Sequence, residues 1–136
     1  MPVNLIDGTA ANDRNYATGP RDLIHAGRGD DFVVTYSGND TVFGTFGDDV
    51  LYGGAGNDYL LSSEYNTGDT GRMYGGAGND LLSVGDLVGS SYGGKGADEV
   101  IIYFGLGGEA RGGQGTDLVT MHYIGSSLDH RPRFRR

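Results

Sequence analysis

A nine-residue repeat is the feature of this sequence that most limits what the chain can fold into. Six consecutive nonapeptides align without a gap from Gly8 to Leu61, and three more follow at 75–83, 93–101 and 112–120. Each unit has an aspartate at its sixth position. These aspartates are Asp13, Asp22, Asp31, Asp40, Asp49, Asp58, Asp80, Asp98 and Asp117. A fixed short period is typical of solenoids, in which each repeat packs against its neighbours.

Four further segments lack the sixth-position aspartate, namely 62–74, 84–92, 102–111 and 121–129. Counted as degenerate units, they keep the period except for insertions of four residues in the first and one residue in the third. After Asp58, intact and degenerate units alternate, which indicates that two units form one coil of about 18 residues. Residues 1–7 are then a lead-in strand, 8–129 the solenoid and 130–136 a basic tail.

Within each unit, a glycine-rich turn precedes a strand of about three residues. Glycine permits the positive φ angles and the close backbone approach that such turns need. The eighth position is aliphatic in eight of the nine intact units, Asn15 being the exception, and this predicts an inward-facing residue. The sequence therefore predicts an all-β, right-handed parallel β-roll (a β-helix solenoid) of two facing parallel sheets. The only helix signal, a weak one, falls in 62–74.

The aspartates also predict a bound cation. Stacking the coils about 4.8 Å apart places the carboxylates in like-charged columns, which repel unless a cation lies between them. Turn-forming aspartates beside glycine are common, but that interpretation leaves the repulsion unanswered. Ca²⁺ takes six to eight oxygen ligands in flexible geometry, and two stacked turns offer carboxylates together with backbone carbonyls.

The repeat G-G-x-G-x-D-x-U-x, with U aliphatic, resembles the nonapeptide of the RTX (repeats-in-toxin), or hemolysin-type, calcium-binding family. The motif GGAGND occurs twice, at 53–58 and 75–80, and the resemblance covers 8–129. It implies that each Ca²⁺ lies between successive turns on one edge, held by the nine aspartates and by turn carbonyls. The implied carbonyl ligands are those of Ser37, Gly38, Gly53, Gly54, Ala55, Gly56, Gly75, Gly76, Ala77, Gly78, Gly93, Gly94, Lys95, Gly96, Gly112, Gly113, Gln114 and Gly115.

The alternation of units predicts two rows of ions. The six turns ending at Asp22, Asp40, Asp58, Asp80, Asp98 and Asp117 would hold about five Ca²⁺, and the three ending at Asp13, Asp31 and Asp49 about two. Pro20 and Arg21 replace glycine and asparagine in the turn before Asp22. This departure makes Asp22 the weakest candidate ligand of its row.

Composition excludes several other classes. Without cysteine there is no disulfide framework and no thiolate zinc site. The longest apolar run, 100–104, is too short to span a bilayer. Residues 1–130 carry 18 acidic and six basic side chains, which argues against a nucleic-acid partner. The abundance of glycine leaves a thin core, so folding is expected to depend on the metal.

These features predict a secreted, non-enzymatic Ca²⁺-binding β-roll that serves as a structural or interaction module. His25, His122 and His130 lack the spacing of a catalytic triad or a metalloprotease site. RTX proteins leave Gram-negative bacteria by type I secretion, and the lack of cysteine and of an N-terminal signal agrees with that route. The ending at 130–136 does not resemble the usual secretion signal.

Two alternatives and one assembly question stay open. The chain could be an accessory C-terminal module of a larger secreted RTX enzyme (a protease, lipase or alginate epimerase) that aids folding or polysaccharide binding. An ice-binding adhesin segment is disfavoured, because the third positions (Ser37, Ala55, Ala77, Lys95, Gln114) form no threonine or asparagine rank. Apolar residues at outward positions, with Phe32 and Val34 expected beside Val50 and Tyr52, and solenoid ends without an obvious cap predict a homo-oligomer or filament. The arginine tail either docks on an acidic neighbour or is disordered.

Overall fold

The computed structural model describes residues 3–17, 19–62, 70–85, 89–103 and 108–122, together with the backbone of 133–134. Within these ranges the chain forms fourteen strands and no helix. It follows that this part contains no helix that could span a membrane. The helix signal noted in 62–74 falls mostly on 63–69, outside the described residues.

The strands alternate with glycine-rich turns along the whole chain. They are β1 (Asn4–Asp7), β2 (Arg14–Tyr16), β3 (Asp22–His25), β4 (Phe32–Val34), β5 (Thr41–Phe43), β6 (Val50–Ala55), β7 (Tyr59–Leu61), β8 (Arg72–Ala77), β9 (Leu81–Val84), β10 (Ser90–Lys95), β11 (Glu99–Ile102), β12 (Glu109–Gln114), β13 (Leu118–Met121) and β14 (Arg133–Phe134).

Two seven-stranded parallel sheets face each other. Sheet A has the order β1-β3-β5-β7-β9-β11-β13, and sheet B contains all the even-numbered strands in the order β2-β4-β6-β8-β10-β12-β14. Because consecutive strands always lie in different sheets, each coil contributes one strand to each sheet. This arrangement confirms the predicted two-sheet β-roll.

The strand register confirms the coil length. Val42 pairs with Leu60, 18 residues later, and the same offset recurs along both sheets. The offset grows to 22 between Leu60 and Leu82 and to 19 between Val100 and Val119. The four-residue and one-residue insertions are therefore accommodated outside the ladder, as the period predicts.

Several strands are longer than the three residues predicted for each unit. Strands β6, β8, β10 and β12 have six residues each. They continue through the first three positions of the next unit, where Gly54 pairs with Gly76 and Gly94 with Gly113. The prediction was too short because a Gly-Gly pair at the start of a unit was expected to turn the chain at once.

The core is a column of eighth-position side chains, as the sequence predicts. Ile24, Val42, Leu60, Leu82 and Val100 of sheet A are fully buried, and Val33 and Leu51 of sheet B face them. In the degenerate units the column of sheet B continues with Met73, Ser91 and Ala110, which are also buried. The core therefore becomes thinner on the sheet B side towards the C-terminal coils.

Part of the basic tail belongs to the solenoid. Strand β14 pairs in parallel with β12, with Arg133 opposite Glu109 and Phe134 opposite Ala110. Sheet B therefore extends one strand past β12, and β14 is its edge strand in the described part of the chain. A backbone strand at this edge satisfies groups that β12 would otherwise expose.

Candidate metal centre

The glycine-rich turns stack on the two edges of the roll. The turns before β3, β5, β7, β9, β11 and β13 place six aspartates in one column, here called the six-aspartate edge. The turns before β2, β4 and β6 place Asp13, Asp31 and Asp49 on the opposite, three-aspartate edge. This distribution follows from parallel stacking at an offset of one coil, because equivalent positions of alternate units then lie above one another.

Each column is tied together through one carboxylate oxygen. On the six-aspartate edge, the Asp22 amide donates to Asp40 Oδ1 at 2.7 Å, and the pattern repeats to Asp98 and Asp117 at 3.0 Å. On the other edge, the Asp13 amide donates to Asp31 Oδ1 at 2.8 Å. Each carboxylate therefore reaches back to the preceding coil, which fixes its orientation in the turn.

A second hydrogen-bond ladder runs in the opposite direction at the fifth position. The Asn57 amide donates to Asn39 Oδ1 at 2.9 Å, and the Asn79 amide donates to Asn57 Oδ1 at 2.8 Å. The ladder ends where the Ala97 amide donates to Asn79. Sequence reasoning missed these residues, although the recurrence of asparagine or aspartate before the sixth-position aspartate was a signal that could have identified them.

The second carboxylate oxygen is the distinctive feature of the site. In five aspartates, Oδ2 is buried and has no hydrogen-bond partner: Asp31, Asp40, Asp58, Asp80 and Asp98. Leaving a buried polar group unsatisfied costs about 1–3 kcal/mol, and more when the group is charged. Five such oxygens in regular stacking therefore call for a cation.

In three of the five units, those of Asp58, Asp80 and Asp98, a glycine at the first position makes room for this oxygen. A Cβ on Gly53 would lie 2.6 Å from Asp58 Oδ2 and 2.7 Å from the carbonyl oxygen of Gly75 in the next coil. The equivalent Cβ on Gly75 would lie 2.5 Å from both Asp80 Oδ2 and the Gly93 carbonyl. A carboxylate oxygen and a carbonyl oxygen thus converge over each glycine, and this all-oxygen donor set fits Ca²⁺.

Glycine at the second and fourth positions allows the coils to approach closely. Gly54 has φ of 90° and Gly56 has φ of 127°, and a Cβ on Gly56 would collide with the Gly38 carbonyl. Tyr36 and Thr45 occupy the second position with φ of 61° and 68°. These two residues adopt a conformation that is uncommon for side chains with a Cβ.

The carbonyls implied as ligands are partly engaged within the stack. The third-position carbonyl of Ala55 accepts the Gly38 amide at 2.9 Å, and that of Lys95 accepts the Gly78 amide at 2.8 Å. The first-position carbonyl of Gly53 accepts the Thr35 hydroxyl. Since a carbonyl oxygen has two lone pairs, such a hydrogen bond leaves each carbonyl able to bind a cation as well.

Burial and mutual repulsion disfavour the ionised carboxylates. Burial raises the pKa of Asp58 to about 7, the hydrogen bond from the Asp40 amide lowers it, and the charges of Asp80 and Asp40 raise it further. Burial likewise raises the pKa of Asp80 to about 6 and raises the pKa of Asp31, Asp40 and Asp98. A cation between the coils would reverse this balance, because it favours the charged form.

Two of the nine aspartates are arranged differently. Asp22 accepts the Asn4 side-chain amide on Oδ1 at 2.8 Å and the Gly19 backbone amide on Oδ2 at 3.2 Å. Asp13 accepts the Thr9 backbone amide on Oδ2 at 2.6 Å and is also contacted by the Thr9 hydroxyl. Asp49 is buried like its neighbours, and Asp117 is partly exposed at the last described turn.

Side chains alone do not surround a metal position. In the described ranges, no three histidine, aspartate or glutamate side chains converge on a common point. This follows from the repeat, which supplies one inward carboxylate per turn and leaves the remaining oxygen donors to the backbone. His25 is exposed and lies 2.9 Å from Asp7, His122 stacks on Tyr103, and His130 falls outside the described residues.

The outward face of sheet B carries an aromatic column. Tyr52 stacks on Tyr74 with ring centroids 4.7 Å apart, and Tyr74 stacks on Tyr92 at 5.2 Å. The Arg111 guanidinium lies 6.0 Å from the Tyr92 ring centroid. The register also confirms that Phe32 and Val34 are the neighbours of Val50 and Tyr52. The sequence did not indicate Tyr74 and Tyr92 because both lie in degenerate units.

Fold and site together define a β-solenoid whose stacked turns present oxygen donors to a hard cation. A family model of the RTX calcium-binding nonapeptide repeat matches residues 7–42, 34–64 and 65–86, which together are more than half of the chain. The chain therefore belongs to this family and is a calcium-binding structural module. No curated protein and no solved structure is significantly similar to it.

Proposed function

We propose that this chain is a β-roll whose folding is driven by Ca²⁺ and which acts as a non-enzymatic structural or interaction module outside the cell. The observation that carries the proposal is the row of buried Oδ2 atoms without partners, from Asp40 to Asp98. For Asp58, Asp80 and Asp98, a carbonyl of the following coil lies beside the same glycine as this oxygen, and a cation would lie between the two. Secretion is part of the proposal because RTX repeats are typical of secreted proteins.

The sixth-position carboxylates and the turn carbonyls would be the ligands. About five ions would lie along the six-aspartate edge and about two along the three-aspartate edge, one between each pair of stacked turns. Each ion would cancel the repulsion between neighbouring carboxylates and would draw two coils together. Binding free energy would thereby become folding free energy.

The expected affinity agrees with a role outside the cell. Extracellular calcium modules typically bind with Kd of about 10⁻⁴–10⁻³ M, well above cytosolic calcium. A chain with that affinity stays unfolded before export and folds after it. The thin core, with Ser91 and Ala110 as inward residues of sheet B, gives little stability that is independent of the metal.

Isothermal titration with CaCl₂, together with native mass spectrometry, tests the proposal directly. We expect several Ca²⁺ per chain at millimolar concentration and only weak binding of Mg²⁺, which demands a smaller octahedral site. A chain that binds no Ca²⁺ at 10 mM would refute the proposal.

The module is also proposed to self-associate. Strands β1, β2, β13 and β14 each have a neighbour on only one side in the described part of the molecule, and Leu5 and Leu118 are each 56% exposed. Such edges are templates for pairing with another chain. Sedimentation with and without 5 mM Ca²⁺ measures this, and a strictly monomeric calcium-bound protein would contradict it.

The aromatic column favours a second candidate, an accessory module of a larger secreted enzyme that binds an anionic polysaccharide. The described outward side chains of sheet B include Arg14, Arg72 and Arg111 but only one acid, Glu109, in a chain of net charge −8. Arginine beside tyrosine offers both ionic and hydroxyl contacts to a charged glycan.

Affinity electrophoresis in dextran sulfate, with neutral dextran as the control polymer, tests this second candidate. Tyr74→Ala should weaken retardation by dextran sulfate, whereas Tyr59→Ala on sheet A should not. Equal retardation of both variants and the parent protein would count against a binding site on sheet B.

A further inference from the structure

Seven of the nine sixth-position aspartates fall into two classes according to the partner of Oδ2. Five have an Oδ2 that is buried and unpartnered, and these extend from Asp31 to Asp98. Two, Asp13 and Asp22, have both carboxylate oxygens engaged by hydrogen-bond donors. Both members of the second class lie in the first coil, although they belong to opposite edges of the roll.

Both carboxylate oxygens of Asp22 accept hydrogen bonds, from two different parts of the chain. The Asn4 side-chain amide donates to its Oδ1, and the Gly19 backbone amide donates to its Oδ2. Asn4 pairs in register with Asp22, so it occupies the sixth position of an incomplete unit that precedes the first intact one. A neutral amide thus ends the column of carboxylates at the place where the next charge would stand.

Both carboxylate oxygens of Asp13 accept hydrogen bonds from Thr9 in the same turn. The Thr9 amide donates to Oδ2 at 2.6 Å, and the Thr9 hydroxyl lies 3.1 Å from Oδ1 and 2.9 Å from Oδ2. The Ala11 amide donates to that hydroxyl at 3.1 Å, which turns its proton towards the carboxylate.

The five aspartates whose Oδ2 has no partner provide the comparison for Asp13 and Asp22. Asp80 accepts the backbone amide of Asp58 on Oδ1, and the aspartates from Asp40 to Asp117 repeat this pattern, but the Oδ2 of Asp80 is buried without a donor. Asp22 and Asp80 are equally buried, with 1% and 2% of their surface exposed. The difference between the two carboxylates is therefore the presence of a donor at Oδ2 and not their access to water.

We infer that the first coil is a metal-free cap, in which Asn4, Thr9 and the Gly19 amide take the place of calcium, and that Asp13 and Asp22 are not calcium ligands. This inference rests on the proposed function. At Asp13 and Asp22 a backbone N–H already satisfies Oδ2, so these carboxylates gain less from a cation than the five whose buried Oδ2 has no partner. The ion-binding rows then begin at Asp40 on one edge and at Asp31 on the other, so the proposed counts of about five and two ions become about four and one.

Matched neutral variants in one row test the inference. Native mass spectrometry and calcium titration of the full chain would compare Asp22→Asn with Asp80→Asn. We expect Asp22→Asn to keep the number of bound Ca²⁺ of the parent protein and Asp80→Asn to lose at least one. An equal loss in both variants would overturn the inference.

The same comparison on the opposite edge uses Asp13→Asn and Asp31→Asn. Asp13→Asn should leave the calcium count unchanged, and Asp31→Asn should lower it. Loss of an ion from Asp13→Asn would refute the metal-free cap on this edge, whatever the outcome for Asp22.

A variant of a donor keeps the test decisive if Asp22→Asn does not fold. Asn4→Ala removes the side-chain amide and leaves all nine carboxylates in place. We expect an unchanged calcium count and a lower thermal midpoint in saturating Ca²⁺, because one oxygen of Asp22 loses its donor. A lower count would show that an ion is already held beside Asn4 in the parent protein and would contradict the inference. If the parent protein itself binds no Ca²⁺, the proposed function fails instead.

Discussion

The two edges of the roll stack at the same spacing but are stabilised differently. The six-aspartate edge repeats one carboxylate in every coil from Asp22 to Asp117. The three-aspartate edge has no sixth-position aspartate after Asp49, yet its backbone ladder continues, with the Ser90 amide donating to the Gly71 carbonyl at 3.1 Å and the Glu109 amide to the Gly89 carbonyl at 3.0 Å.

This comparison separates the geometry of the stack from its dependence on a cation. Where the segments without this aspartate are described, backbone hydrogen bonds alone continue the stack, whereas the turns with aspartate bury a carboxylate in almost every coil. The C-terminal half of the molecule should therefore require Ca²⁺ on one edge only, and the N-terminal half on both. The experiments below alter one edge at a time.

The largest expected effect comes from removing a carboxylate at the centre of the six-aspartate edge. Asp58→Asn should shift the calcium midpoint of folding upwards by at least the roughly 10–100-fold typical of partners outside the first coordination shell. Asp48→Asn is the control, because Asp48 is exposed and its bond from the Thr70 amide at 2.5 Å can be kept by asparagine. Calcium titrations followed by circular dichroism measure both midpoints. Equal shifts would mean that calcium binding does not depend on the buried sixth-position carboxylate.

The dependence on pH should be of intermediate size and of opposite sign with and without metal. The pKa of Asp58 is raised to about 7 and that of Asp80 to about 6, from an ordinary value of 3.8. The metal-free folded roll therefore binds more protons than the unfolded chain, so these groups favour folding in acid. That contribution is lost as the pH rises from about 4 through about 7.

Circular dichroism in excess EGTA measures the pH dependence of folding without metal, and we expect more β structure at pH 5 than at pH 8. In Ca²⁺ the order reverses, since the ligands must be deprotonated to bind, and the calcium midpoint should fall as the pH rises. The pH dependence in EGTA should become weaker in the double variant Asp58→Asn/Asp80→Asn. A metal-free chain that gains structure with rising pH would contradict this account of the carboxylates.

The smallest expected effect concerns the fifth-position ladder, which carries no charge on the six-aspartate edge. Asn57→Ala removes the acceptor of the Asn79 amide and should lower the stability of the calcium-bound protein by about 1 kcal/mol. The calcium count should not change. Thermal denaturation at saturating Ca²⁺ measures the loss, and a loss of bound calcium would show that the amide, too, belongs to the ion site.

The repeat made much of this fold predictable. Coil length, the two parallel sheets and the buried eighth-position column follow from a local pattern that recurs at a fixed period. The degenerate units were harder, because Ser91 and Ala110 fill inward positions without being large aliphatic residues. Strand β14 was missed because its pairing with β12 joins residues 24 apart and has no repeat signature.

The site was predictable in its residue types but not in its details. The register of the aspartates indicates which side chains are stacked. Whether an Oδ2 has a hydrogen-bond donor depends instead on residues from other coils and from other positions of the turn. Asn4 donates a hydrogen bond to Asp22 from 18 residues away, and nothing in the sequence NLID identifies Asn4 as a sixth-position residue. Only the strand register of β1 with β3 reveals that role.

The central claim is that the buried carboxylates make folding depend on Ca²⁺. Far-UV circular dichroism of the full chain at neutral pH, in EGTA and then with increasing Ca²⁺, tests it most directly. We predict an unfolded spectrum in EGTA, a cooperative gain of β structure at about 10⁻⁴–10⁻³ M free Ca²⁺, and reversal when EGTA is added again. A full β spectrum in excess EGTA that Ca²⁺ does not change would contradict the claim.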